Sequence, residues 1–284
     1  MKLYPPWREP MEGGCRFTVP EIDNVPDLHG DIVDPQLVIF FHGNQFMVTH
    51  DLIAAFRKHH PKYQRIYWET LPPGVLVRQI EKGQLQMGTL RIAIRPDIFT
   101  AGTDRIRQLD EERKWFERIE PFAKNQLGIM VHAGNPCGIT GLADLGRPDV
   151  RVSMPDPRSE GIGKRILQLY RQIGGPELVE TVMQEKVENG TTFVTEIHHR
   201  QTPMRILQGQ SDAGPVWITE VLFQQRIGNP LELVKIPSEH NPIATYAAAQ
   251  LKDAPHPRAA DAFLDFLIGP KGQAVYKKYG FLSL

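Results

Sequence analysis

Cysteine is scarce in this chain, with only Cys15 and Cys137 among 284 residues. Two thiols so far apart make neither a disulfide framework nor the close spacing of a zinc site; they read as two unrelated thiols, with a single bridge between them as the less favoured alternative. Net charge is missing too, because 33 Lys and Arg balance 33 Asp and Glu. A neutral chain has no global field to draw in nucleic acid or an anionic membrane, so nucleic acid is not an expected partner and any anion site has to be built locally. No apolar run approaches the length of a membrane span. The opening MKLYPPWREPMEGG lacks the apolar stretch of a secretory leader. Two expectations stay open from this: a leader removed from an extracytoplasmic protein, or a cytoplasmic protein.

Catalytic signatures are also absent. There is no G-x-S-x-G, no H-E-x-x-H, no Walker loop and no paired C-x-x-C. Gly161 to Gly163 is too short for a dinucleotide fingerprint, and His132 near Cys137 in sequence does not alone make a thiol–imidazole pair. His198 and His199 are adjacent, so on a helix they face different ways, which is wrong for a shared metal. The expectation is a binding protein without a cofactor, not an enzyme. An enzyme using His42 or Cys137 is the competing class, and it requires one of them to reach a substrate.

What is present is an α/β pattern with enough apolar residues, 41%, for a real core. Residues 1–35 are rich in Pro, Gly and acids and predict an irregular arm. Leu37 to Phe41 is a continuous apolar run, as in a strand buried on both faces. RIYWET and TLRIAI predict a second and a third strand, and DRIRQLDEERKWFERI an exposed helix. The β-α-β-α-β order implies right-handed crossovers and a parallel sheet. A second series follows: strands at QLGIMVH, DVRVSM, SDAGPVWI and LELVKI, and a helix with Ile162, Ile166, Leu169 and Ile173 on one face. PIATYAAAQL then returns as a strand. Ala259, Ala262, Phe263, Phe266 and Leu267 form the stripe of a closing helix. Two α/β lobes are expected, one of residues 36–125 plus 241–284 and one, inserted, of 126–240.

In open α/β sheets ligands gather where strands end and helices begin. Those ends place Asn44 and Gln45, Thr70 to Gly74, and Arg95 in the first lobe, and Ser159 with Glu160, Arg200 and Trp217 in the second. Each has a plainer reading: Asn44 and Ser159 as helix caps, Trp217 as core, Arg200 as the partner of Glu196.

Three phrases taken together resemble the extracytoplasmic solute-binding proteins of ABC importers, nearest the molybdate/tungstate-type oxyanion binders. They are GNPCGITGLADLGRPDVRVSMPDPRSEGIGKR, HRQTPMRILQGQSDAGPVW and AAQLKDAPHPRAADAFLDFLIGPKGQAVYKKYGFLSL. The resemblance covers residues 36–284. It implies two Rossmann-like α/β lobes joined by two crossover segments, with a ligand cleft between them. It implies a monomer in the periplasm, or otherwise outside the cytoplasm, that closes on a small anion and delivers it to an ABC permease. Carried over residue by residue, it puts Asn44 and Gln45, the Leu71 to Gly74 loop, Ser159, Glu160, Arg200 and Trp217 in the pocket. Trp217 stands where the family has a tyrosine, and Glu160 beside a dianion repels it unless turned away. Arg200, Arg158 and Arg95 are available to offset that charge. A larger organic or metal-containing solute, or a sensing role, is the alternative.

Overall fold

The structure is a computed structural model that describes residues 27–87, 89–158, 160–195 and 199–284. In chain order, β1 (Leu28–Gly30), β2 (Leu37–His42), α1 (Phe46–His59), β3 (Ile66–Leu71) and α2 (Pro73–Lys82) come first. They are followed by β4 (Leu85–Met87), β5 (Leu90–Ile92), β6 (Ile98–Gly102), α3 (Thr103–Arg113) and β7 (Phe116–Asn125). Next come β8 (Leu127–His132), β9 (Val152–Met154), α4 (Gly161–Glu180), α5 (Lys186–Glu188) and β10 (Thr192–Val194). The remaining elements are α6 (Thr202–Leu207), β11 (Ala213–Trp217), α7 (Ile218–Arg226), β12 (Leu231–Lys235), β13 (Ala244–Leu251), α8 (Pro257–Ile268) and α9 (Pro270–Lys278).

The chain divides into two compact units. A split unit holds 27–125 and 244–284, and a continuous unit holds 126–243. The sheet of the split unit runs β1-β3-β2-β6-β13-β7. Its centre, β3-β2-β6, is parallel, and β13 and β7 are antiparallel additions. The sheet of the continuous unit runs β10-β9-β11-β8-β12, again with three parallel strands followed by two antiparallel ones. The two units therefore repeat one plan, with β2 matching β9 and β6 matching β11. In both, the chain leaves a middle strand to one side and later returns on its other side. That reversal leaves a crevice at the strand carboxyl ends, where side chains of a ligand site collect.

Local sequence explains the central strands. Leu37 to Phe41 are all buried, as a strand covered on both faces demands. Ala247, Ala248 and Ala249 are 0% exposed in β13 and let it sit between β6 and β7.

Several expectations are corrected. Residues 28–30, assigned to an irregular arm, form an antiparallel edge strand on β3, while residues 1–26 lie outside the described part. TLRIAI is not the third strand of the sheet. Its residues Leu90–Ile92 pair with Leu85–Met87 in a separate hairpin, and Ile98–Gly102 takes the place beside β2. The charged helix stops at Arg113, with Lys114 in the left-handed conformation at φ 56°. WFERI is mostly strand, β7, because residues from Phe116 onward pair along β13. The sheets are mixed rather than wholly parallel.

Candidate functional site

In the split unit, β2 ends at His42 and the backbone turns at once into a 3-10 turn, Gly43–Gln45, that continues as α1. The first amide groups of this helical run have no carbonyl one turn back to bond, and they carry the positive end of the helix dipole. Gly43, Asn44 and Gln45 are all buried. Their side chains form a connected network. The Asn44 Nδ2 amide donates to the Tyr246 hydroxyl at 2.7 Å, and Gln45 Nε2 donates to Asn44 Oδ1 at 3.0 Å. His42 Nδ1 lies 2.8 Å from Thr100 Oγ1, and the His42 backbone N–H donates to the same oxygen at 3.0 Å. Thr100 comes from β6 and Tyr246 from β13, so the network lies across the crevice of this sheet. Sequence reading named Asn44 and Gln45 but missed Thr100 and Tyr246. Both sit inside strands whose pattern marks them only as inward-facing.

Thr70 is fully buried near the carboxyl end of β3, the strand next to β2, and its N–H donates to Asp27 O at 2.9 Å. Gly74 lies in the first turn of α2, whose opening Pro72 and Pro73 have no N–H to offer. Arg95 is placed elsewhere. It precedes β6 rather than following a strand beside β2, so it belongs to the amino end of that sheet, opposite His42. There it is an exposed partner of Asp253. The misplacement follows directly from the wrong third strand.

In the continuous unit the crevice lies at the ends of β9, β10 and β11. Ser159 lies outside the described residues. Glu160 is 7% exposed just before α4, but its carboxylate is engaged locally: the Thr195 hydroxyl and the Asp156 N–H both donate to Oε1. Arg158 is committed to Asp156, and its guanidinium holds that carboxyl below the usual range. Of the three arginines considered from sequence, only Arg200 is buried, at 4% exposure, on the turn His199–Gln201 that opens α6. Its expected alternative partner, Glu196, is outside the described residues.

A second buried arginine was not foreseen. Arg205 donates through Nη1 to Phe193 O at 3.1 Å and to Ser153 Oγ at 3.3 Å, and through Nη2 to Gln201 Oε1 at 3.2 Å. Ser153 and Thr202 bond to each other at 2.9 Å. In sequence, Arg205 reads as the polar face of a short helix. Only the packing of α6 on β9 turns it inward. Trp217 is buried at the end of β11, and its backbone N–H donates to Glu220 Oε2 at 3.0 Å, a bond that caps α7.

Two glycines make these approaches feasible. A Cβ on Gly214 falls 2.5 Å from Thr202 Cγ2 and 2.7 Å from Ser153 O, so α6 can meet β11 only with glycine there. A Cβ on Gly163 falls 2.7 Å from both Pro155 O and Pro157 N. Those are backbone atoms, which cannot swing aside. Gly163→Ala is therefore expected to destabilise by about 1–3 kcal/mol through overpacking. Urea unfolding checks this, and an unchanged midpoint contradicts it.

Among the described residues no group of three or more His, Cys, Asp or Glu is placed to hold a metal. Cys137 is a partly exposed free thiol whose pKa burial pushes up, the opposite of an activated nucleophile. No helix among the described residues is long and apolar enough to cross a membrane.

Known proteins resemble this chain in sequence and in fold. The family model described as bacterial extracellular solute-binding protein matches residues 37–282. The molybdate-binding protein ModA of Mycobacterium tuberculosis is 25% identical over 211 residues, covering 74% of each chain. The structure of the sulfate-binding protein SubI from the same organism is similar with a TM-score of 0.67 at 21% identity, covering 87% of this chain and 86% of that one. Campylobacter jejuni PEB3, solved with L-phospholactate bound, gives a TM-score of 0.64 at 16% identity over 87% of this chain and 100% of that one.

Proposed function

This chain belongs to the bacterial extracellular solute-binding proteins, and from that premise we propose that it captures a small anion outside the cytoplasm and passes it to an ABC permease. It does so without catalysis, by closing as a hinge. The observation that carries the reading is the buried start of the helical run at Gly43–Gln45, where backbone amides and neutral side-chain donors gather at the end of β2. Neutral donors and a helix N-terminus suit an oxyanion, since they supply partial positive charge without a competing counter-ion. Arg200 and Arg205 add full charge in the continuous unit. The named relatives fit this: ModA is a molybdate-binding protein and SubI a sulfate-binding protein. In this reading Asn44, Gln45, Thr70, Gly74, Ser159, Arg200 and Trp217 contact the solute. Glu160, turned to Thr195, shapes the loop instead, and Arg95 takes no part.

One observation favours a second reading, a phosphorylated organic acid. Trp217, buried at the end of β11, brings an indole ring that can stack on an organic group as a smaller residue cannot, and PEB3 is a structural neighbour solved with L-phospholactate. A thermal-shift screen with molybdate, sulfate, phosphate, small carboxylates and phosphorylated acids separates the two, because a ligand that binds only the folded state raises its melting temperature. If none of them moves the transition, the anion reading fails.

Arg200→Ala is expected to weaken the solute identified in that screen by about 1.5–3 kcal/mol, the range for a hydrogen bond to a charged group. Calorimetry on the variant checks it. Unchanged affinity removes Arg200 from the site.

A further inference from the structure

Building on the anion reading of the β2–α1 turn, we propose that His42 makes this site a proton switch: protonating its ring reverses the hydrogen-bond chain His42–Gln45–Asn44–Tyr246, so that binding an anion takes up one proton. If the anion reading fails, the reversal can still be tested in the free protein.

The chain has a definite direction. Gln45 Nε2 lies 3.0 Å from Asn44 Oδ1 and 3.3 Å from His42 Nε2. An amide nitrogen donates and does not accept, so His42 Nε2 is an acceptor, and the ring proton sits on Nδ1, facing Thr100 Oγ1. Asn44 Oδ1 is taken by Gln45, which leaves Asn44 Nδ2 to donate to Tyr246. This is the arrangement of a neutral imidazole. It has one defect: Gln45 is 0% exposed, and its Oε1 accepts no hydrogen bond among the described residues. A buried acceptor left open at the start of a helix is also the wrong group to offer an anion.

Adding a proton at His42 Nε2 repairs both faults. Nε2–H then faces the Gln45 amide nitrogen, so the Gln45 amide rotates by half a turn to present Oε1. The same oxygen accepts from Asn44 Nδ2 once the Asn44 amide has also turned over. Asn44 Oδ1 now faces Tyr246, whose hydroxyl can donate as readily as it accepts. Every bond of the chain survives with its direction reversed. Gln45 Nε2 takes the place of the open oxygen and becomes a donor for a bound anion, while the ring gains positive charge. Two amide rotations in place are a small structural change, since oxygen and nitrogen of an amide occupy nearly equal volumes. Among the described residues, the groups shown to face the ring are Thr100 from β6, Asn44 and Gln45 from the turn, and Tyr246 from β13, whose ring centroid lies 4.7 Å from that of His42. Of these only Tyr246 titrates, and its hydroxyl serves both directions of the chain.

The test uses sodium sulfate, an anion that carries no exchangeable proton in the range of about pH 5 to 8 where histidine titrates. Calorimetry in two buffers of different ionisation enthalpy gives the number of protons taken up on binding. The expected result is uptake approaching one proton, with affinity falling by up to about tenfold per pH unit above the ring's transition. His42→Gln, which keeps a hydrogen-bonding atom facing Gln45, is expected to bind sulfate with no proton uptake and a flat pH profile. Sulfate bound by the native chain with no proton taken up overturns the switch and leaves the anion reading standing. If sulfate does not bind, NMR of the free protein decides. Side-chain amide signals of Asn44 and Gln45 that shift in step with the His42 ring support the reversal, and signals that ignore the titration overturn it. The same spectra serve if His42→Gln does not fold.

Discussion

Phe263→Ala is expected to lower stability by about 3–5 kcal/mol, the cost of emptying a buried aromatic site. Phe263 is 0% exposed on α8 and meets the Phe56 ring of α1 edge-on at 5.1 Å and the Phe41 ring of β2 at 6.2 Å. Phe266, one turn further, meets Phe56 at 5.4 Å. Such edge-to-face pairs add to the burial of area alone. Their position matters more than their number. Phe41 and Phe56 belong to the first pass of the chain through the split unit, and Phe263 to its return after the continuous unit is complete. Removing Phe263 loosens the joint that holds the second pass onto the first, next to the strand that ends in the candidate site. Ile268 on the same helix is 37% exposed and serves as a control, with Ile268→Ala expected within about 0.5 kcal/mol of the native chain. Urea unfolding followed by tryptophan fluorescence reads both. Equal effects of the two substitutions would mean that α8 does not pin the return of the chain.

That joint was legible in sequence, because Ala259, Ala262, Phe263, Phe266 and Leu267 keep helical spacing. Legibility fails where polarity and position part company. β7 carries Glu117, Arg118 and Glu120 in a first half that is only partly buried, so its sequence reads as charged helix, and only pairing with the alanine-rich β13 makes it strand. IFTAG is too short to outbid the better alternation of TLRIAI, and choosing the latter carried Arg95 to the wrong end of the sheet. Around the site, Asn44, Gln45 and Arg200 could be found because they sit at predicted strand-to-helix junctions. Thr100, Tyr246, Ser153 and Arg205 could not, since no junction marks them. They are assigned to the site only by partners distant in sequence: Tyr246 meets Asn44, and Arg205 meets Ser153.

Glu69 is the clearest case of a residue whose role the pattern hides, and it carries the second large effect. It lies in β3 between apolar neighbours, 0% exposed, with Tyr67 Oη and Gln79 Nε2 donating to Oε1 at 2.8 and 3.0 Å. Its other oxygen, Oε2, and Gln79 Oε1 are both buried acceptors without a donor among the described residues. A proton on Glu69 lets the carboxyl donate as well as accept, and the expected acceptor is the Gln79 amide, which already meets the same carboxyl group through Nε2. Burial, with the nearby Asp27 adding to it, pushes the Glu69 pKa from 4.5 up to about 7. The sign then follows. Below the unfolded value both states hold the proton. Between 4.5 and about 7 the unfolded chain has released it and the folded chain has not, so stability falls as pH rises. Above about 7 both have lost it and the loss is complete. At about 1.4 kcal/mol per pH unit between the two values, the loss is on the order of 3 kcal/mol. Glu69→Gln keeps the acceptor for Tyr67 and supplies a permanent N–H for Gln79, and it has no proton to lose. The variant is therefore expected to match the native chain near pH 4.5 and to exceed it by on the order of 3 kcal/mol at pH 8. Urea unfolding of both proteins across that range measures the difference. Two stability curves that run parallel from acid to alkaline pH would show that Glu69 enters the fold already ionised, and the acid–amide pair with Gln79 would have to be abandoned.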